Sequence, residues 1–220
     1  MTLTEADDIA MPPLTSMAQN LHGKTILITG ASSGIGRSTA FEFARTSPQD
    51  LKLILTARRV DRLHDISREI LAEVGNGVKV CVQQLDVSAP EEVSRLVEGL
   101  PVEFQDIDVL VNNAYVVFHC YYNIYIYIYV YTYILTTKKR GFMSGMDQPP
   151  NIPHTVISNV YATNVTGVIN MTQAILPIFK KRPDGGRGDI IFLGSIAGRD
   201  PYVGGTVRVF VHGDEWNMWR

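Results

Sequence analysis

Residues 29–36 read TGASSGIG, placed between a short apolar run and an amphipathic stretch. Three glycines at this spacing suit a backbone that turns off a strand and then presents N–H groups to an anion at a helix N-terminus. Gly30 lets the chain turn tightly, Gly34 lets the backbone approach a phosphate, and Gly36 lets the following helix pack close to the sheet. With Ser32, Ser33 and Ile35 between them, these residues are the candidates for holding the pyrophosphate of a dinucleotide. An ordinary Gly-rich turn can have the same letters; what favours the ligand is the set of strand and helix units around it.

A second group of candidates lies about twenty residues on. At the end of the second strand a carboxylate would accept from a ribose 2'-hydroxyl, whereas a 2'-phosphate wants a guanidinium. The segment here is LTARR, with no acid and with Arg58 followed by Arg59, so the expected cofactor is NADP. Arg37, directly after the last motif glycine, is a candidate for a second positive group. A solvated basic turn is the plainer alternative.

The elements that would position these residues follow from periodicity. KTILIT, LKLILTA, VKVCVQQ, IDVLVNN and RGDIIFLGS are short apolar runs that predict five strands. GRSTAFEFARTS predicts the helix after the first strand. VDRLHDISREILAEV predicts a helix with Val60, Leu63, Ile66, Ile70 and Val74 on its apolar face. APEEVSRLVEGL, with Pro90 in the first turn and Glu91 and Glu92 where the helix dipole favours acids, predicts another. Residues 152–181 have helical spacing over several turns. Strand and helix in alternation give a Rossmann-like, doubly wound parallel α/β sheet of about five strands, with an irregular insertion.

Composition narrows the partners. A net charge of -2 supplies no basic excess to neutralise a phosphate backbone, so a small molecule is expected rather than nucleic acid. Cys81 and Cys120 make no disulfide framework and no metal-ligand spacing, so both are read as inert thiols in a reducing compartment, with no metal site. Residues 1–22 carry acids and no basic segment before an apolar run, which predicts a loose arm and a cytoplasmic protein without a membrane anchor.

TGASSGIG, LDV at residues 85–87, NNA at 112–114, TNV at 163–165 and GSIAG at 194–198 together resemble the short-chain dehydrogenase/reductase family. The stretches around LKLILTARRVDRL and LPIFKKRPDGGRGDIIFLGSIAGRDPY are most similar to its NADP-dependent 3-hydroxy acid dehydrogenases, which oxidise L-serine and L-allo-threonine. The resemblance implies that Asp86 and Val87 contact the adenine ring and that Asn112 and Ala114 line the ribose side of the cofactor. It implies that Asn164 helps hold a proton-relay water and that Ser195 hydrogen-bonds the substrate oxygen, a small hydroxy acid or alcohol. It also implies that full-length relatives are homo-oligomers.

The sequence departs from that pattern twice. The family's acid/base is a tyrosine with a lysine four residues later, close enough to depress the phenol's pKa. No Tyr-x-x-x-Lys occurs in the 220 residues. Counting on from GSIAG, Arg208 stands at the tyrosine position and His212 at the lysine position, and arginine stays protonated. The resemblance therefore implies a truncated, catalytically impaired oxidoreductase, with a non-catalytic NADP-binding fragment or a non-functional product as the alternatives. Residues 115–140 form the second departure, a run of tyrosine alternating with isoleucine or valine. Removing them joins Ala114 to Gly141 and restores NNAGFMSGMDQP, the family's usual continuation. An AT dinucleotide repeat read as ATA TAT encodes such a run, and Val207 with Arg208 can be read as GTG CGT, a possible splice donor, so residues 115–140 and the tail 207–220 are read as products of retained introns or of a faulty gene model. A membrane helix, a hairpin and an aggregation-prone insertion are the rival readings of the run. The expected organisation is an arm at 1–22, an NADP-binding domain at 23–114 and 141–206, an insertion at 115–140 and a tail at 207–220.

Overall fold

The computed structural model describes residues 14–115, 153–183 and 186–194. In chain order the elements are α1 (Leu14–Leu21), β1 (Thr25–Thr29), α2 (Gly34–Thr46), β2 (Leu51–Ala57), α3 (Val60–Val74) and β3 (Val78–Gln84). They continue with α4 (Pro90–Gly99), a 3-10 turn (Val102–Phe104), β4 (Val109–Asn112), α5 (His154–Tyr161), a π-helical turn (Ala162–Thr166), α6 (Gly167–Lys180) and β5 (Asp189–Phe192). The chain divides into two units, one formed by Met1–Ala114 with Val168–Leu193 and the other by Tyr115–Gly167 with Gly194–Arg220.

In the first unit all five strands run parallel in the order β3-β2-β1-β4-β5. Parallel neighbours need crossovers, and helices supply them on both faces. Side chains alternate across the pleat. Ile26, Ile28, Leu53, Leu55, Val109 and Val111 meet Phe41 and Ala44 of α2 and Leu63, Ile66 and Ile70 of α3. Leu27, Ile54 and Leu110 meet Val93 and Leu96 of α4 and Met171, Ile175 and Phe179 of α6. Leu27, Leu53, Ile54, Leu55 and Leu110 are wholly buried, so truncating any one to alanine would cost about 2–5 kcal/mol. The doubly wound arrangement expected from the sequence is thus present, with β3 and β5 as the sheet edges among the described residues.

A polar knot fixes the opposite end of the sheet from the glycine-rich loop. Asp108 accepts the Thr25 N–H at 2.8 Å and Lys24 Nζ at 3.0 Å, and Arg182 Nη1 lies 3.2 Å away. Arg182 also donates to the Ile107 and Arg187 carbonyls and to Asp106, tying the approach to β5 onto β4.

One local expectation is corrected. The arm is not loose throughout, because Leu14–Leu21 is helical and Leu21 packs against the α2 and α3 face of the core. Leu14, Met17 and Leu21 recur at helical spacing, a signal that the acidic start of the arm obscures. His154–Lys180 is helical, as the spacing predicts, with the backbone widening to π geometry at Ala162–Thr166. The Tyr/Ile run beyond Tyr115 and the tail lie outside the described residues. Among the described residues no helix is long and apolar enough to cross a membrane.

Candidate functional site

The chain leaves β1 through Thr29 and turns at Gly30, whose φ of +66° is left-handed. Thr29 is buried, and its hydroxyl is fully used: Oγ1 accepts the N–H groups of Asn113 and Ala114, each at 2.9 Å, and donates to the Val111 carbonyl at 3.2 Å. The Asn113 amide closes the turn, its Nδ2 donating to the Thr29 carbonyl at 2.8 Å and to that of Gly30 at 3.3 Å. This explains Gly36. A Cβ there would stand 2.3 Å from Asn113 Nδ2 and 2.7 Å from the Gly30 carbonyl, so only glycine lets α2 start this close to the end of β4. Gly34 differs, with a φ of +57° and no neighbour within 4 Å of a would-be Cβ, which leaves the loop open on that side. Ile35 beside it is exposed.

Opposite this loop, the end of β2 supplies the cationic group. Arg59 Nη2 donates to Ser32 Oγ at 3.1 Å and to Ser33 Oγ at 3.2 Å, so one guanidinium bridges both loop serines. Partial desolvation and the neighbouring Arg62 and Arg58 lower its pKa, in that order of importance, and it remains the cation of the site. Arg58 is exposed beside it. Arg37 does not join them: it pairs with Glu69 of α3 and lies over the Phe41 ring, 4.5 Å from its centroid. The helical turn after Gly36 carries Arg37 toward α3, so it does not stand beside the loop as the second positive group that the sequence suggested.

The loop after β3 holds Asp86 and Val87. Asp86 Oδ1 accepts the Ser88 N–H at 3.0 Å and the Ser88 hydroxyl at 2.6 Å, while the Asp86 N–H donates to Glu92 Oε2 at 2.8 Å. Val87 is buried, and its carbonyl accepts Asn170 Nδ2 at 3.4 Å. Asn112 is buried too; its Nδ2 donates to Thr172 Oγ1 at 3.4 Å, which directs one of its two amide hydrogens to α6. Ala114, half-buried, follows at the loop mouth. The structure therefore gathers Gly30, Ser32, Ser33 and Arg59 with Asn113 and Ala114. Asn164 lies in the second unit, buried at 3% exposure within the π-helical turn. Ser195 lies outside the described residues.

Thr29 and Asn113 are the residues that sequence reasoning missed. Their signal is a polar residue at the carboxyl end of each of two apolar runs, TILIT and VLVNN. Among the described residues Asn113 Oδ1 is the one buried side-chain polar atom without a hydrogen-bond partner. A buried acceptor beside Gly30 and Gly36, an open face at Gly34 and a guanidinium on the loop serines form a donor and acceptor set that fits a phosphorylated dinucleotide. Among the described residues no group of three His, Cys, Asp or Glu could hold a metal ion.

Five parallel strands ordered β3-β2-β1-β4-β5, with a glycine-bearing loop at the carboxyl end of the central strand, define the Rossmann-like doubly wound class. The family model described as short chain dehydrogenase matches residues 24–125 and 140–207, and the chain belongs to that family. The break in the match falls inside the Tyr/Ile run. The chain is similar to the NADP-dependent 3-hydroxy acid dehydrogenase of Schizosaccharomyces pombe, at 42% identity over 85% of this chain and 60% of that one. It is similar to serine 3-dehydrogenase of Rhizobium radiobacter, at 34% identity over 83% and 58%. The chain thus spans about three fifths of the length of these curated relatives. Among solved structures it resembles the closed form of serine dehydrogenase complexed with NADP+, with a TM-score of 0.65, 28% identity and coverage of 88% of this chain and 62% of that one.

Proposed function

We propose that the chain binds NADP at the carboxyl ends of β1 and β2 and belongs to an oxidoreductase acting on the CH–OH group of small, serine-like 3-hydroxy acids. The observation that carries the cofactor reading is the Arg59 guanidinium laid across Ser32 and Ser33, where a 2'-phosphate can be met by a cation and two hydroxyls. The open face at Gly34 and the N-terminus of α2 suit the pyrophosphate, and Ile35, Arg58, Asp86, Val87, Asn112 and Ala114 complete the proposed cofactor contacts. The names of the similar proteins above support both the cofactor and the substrate class. When bound, NADP supplies the hydride acceptor, and the protein supplies orientation and a proton path. Ser195 would hydrogen-bond the substrate oxygen, and Asn164 would hold the relay water.

Turnover by these 220 residues is expected to be very low or absent. They contain no Tyr-x-x-x-Lys, and neither Arg208 nor His212 supplies a lysine-tuned phenol. The partner is a small molecule and the setting cytoplasmic, with full-length relatives as homo-oligomers. We assign residues 115–140 and 207–220 to sequence foreign to the NADP-binding domain. The alternation of Tyr with Ile, which an AT repeat would encode, favours a second reading, in which residues 115–140 are a translated intron and the chain binds the cofactor without turning over. Titration with NADPH, followed by nicotinamide fluorescence, should saturate, while L-serine with NADP gives no measurable absorbance at the nicotinamide band. Deleting 115–140 and supplying a family-like segment with Tyr-x-x-x-Lys should restore oxidation of small 3-hydroxy acids; failure on every such acid would remove the substrate assignment. A spliced transcript that still encodes the run would remove the intron reading.

A further inference from the structure

The loop after β3 is held from two helices, and one of the holding residues belongs to no recognised motif. The peptide unit joining Val87 to Ser88 is fixed at both of its polar ends. Its N–H, on Ser88, donates to Asp86 Oδ1 at 3.0 Å, and its carbonyl, on Val87, accepts Asn170 Nδ2 of α6 at 3.4 Å. The Ser88 hydroxyl adds a 2.6 Å bond to the same Asp86 oxygen, so both Ser88 contacts fall on Oδ1 and neither engages Oδ2. Glu92 of α4 holds the Asp86 N–H at 2.8 Å. Val87 is buried at 6% exposure, so removing the Asn170 donor leaves a carbonyl with little water to replace it. The peptide would then rotate toward solvent, and the Ser88 N–H that orients Asp86 would turn with it.

We propose that Asn170 is a positioning residue for the adenosine half of the cofactor, acting through the Val87–Ser88 peptide on the orientation of the Asp86 carboxylate. This rests on the proposed NADP site, in which Asp86 and Val87 meet the adenine ring. The Asn170 amide is directed at the Val87 carbonyl, and the loop serines are held by Arg59, so the effect of Asn170 falls on one end of the dinucleotide.

The test titrates the full chain and two variants, Asn170→Ala and Asn170→Asp, with NADPH, with 2',5'-ADP as the adenosine half and with reduced nicotinamide mononucleotide as the other half. Asn170→Asp keeps the size of the side chain and replaces the donor by an acceptor, so it separates loss of the hydrogen bond from loss of packing. The inference predicts that Asn170→Ala weakens NADPH and 2',5'-ADP alike, about three- to tenfold for one hydrogen bond, that Asn170→Asp weakens both at least as much, and that neither changes the mononucleotide. Equal weakening of all three probes, or 2',5'-ADP binding by Asn170→Asp at wild-type affinity, would overturn it while leaving the NADP site standing. Absence of NADPH binding by the unmodified chain would overturn both.

Discussion

Replacing Arg59 by alanine is the perturbation with the most specific outcome. Its guanidinium lies 3.1 and 3.2 Å from the hydroxyls of Ser32 and Ser33, and those hydroxyls sit on the loop expected to receive the cofactor. A hydrogen bond to a charged group contributes about 1.5–3 kcal/mol net. At about 1.4 kcal/mol per factor of ten, Arg59→Ala should weaken NADPH about ten- to hundredfold. NADH has no 2'-phosphate and should bind Arg59→Ala as it binds the wild type. Because Arg59 is exposed, salt should erode the wild-type preference and leave the variant nearly insensitive. Fluorescence titrations with NADPH and NADH at low and high salt measure all four quantities. Equal weakening of both cofactors would mean that Arg59 only braces the loop, and unchanged NADPH affinity would refute the placement of the 2'-phosphate.

Gly36→Ala should destabilise the fold by about 1–3 kcal/mol, since its Cβ meets Asn113 Nδ2 at 2.3 Å, and adding Asn113→Ala should recover part of the loss in a denaturant titration. Thr29→Val keeps the shape but strands the N–H groups of Asn113 and Ala114, costing about 1–3 kcal/mol for each, as a lowered urea midpoint at constant slope would record. Burial disfavours the Cys81 thiolate and raises its pKa, with Glu103 adding to the effect. Iodoacetamide should therefore label Cys81 slowly at neutral pH and faster as pH rises past the ordinary thiol range, a dependence that peptide mass mapping would follow and that a pH-independent rate would contradict.

Much of the first unit is legible in the sequence because its strands are short, apolar and separated by strongly amphipathic helices. The predicted runs LKLILTA, VDRLHDISREILAEV and VKVCVQQ coincide with β2, α3 and β3, and Leu63, Ile66 and Ile70 are the buried stripe of α3. The positions of the glycine-rich loop after β1 and of Arg59 after β2 were legible for the same reason, because each follows a strongly apolar strand. The Thr29 and Asn113 hub was not, because a buried polar pair joining residues more than eighty apart leaves no periodic trace. Arg37 misled because its distance from the loop in sequence is short while the helix turns it onto Glu69. The π-helical turn at Ala162–Thr166 was hidden because helical spacing over several turns does not register one extra residue.

Phosphorus NMR of NADP bound to the 220-residue chain tests the cofactor placement directly. A free 2'-phosphate titrates with a second pKa of about 6, and an adjoining guanidinium favours its dianion. The account predicts that binding shifts the 2'-phosphate resonance together with the pyrophosphate and lowers the 2' titration midpoint, and that Arg59→Ala restores the midpoint toward that of free NADP. A saturated complex in which the 2'-phosphate keeps its free position and midpoint would contradict it.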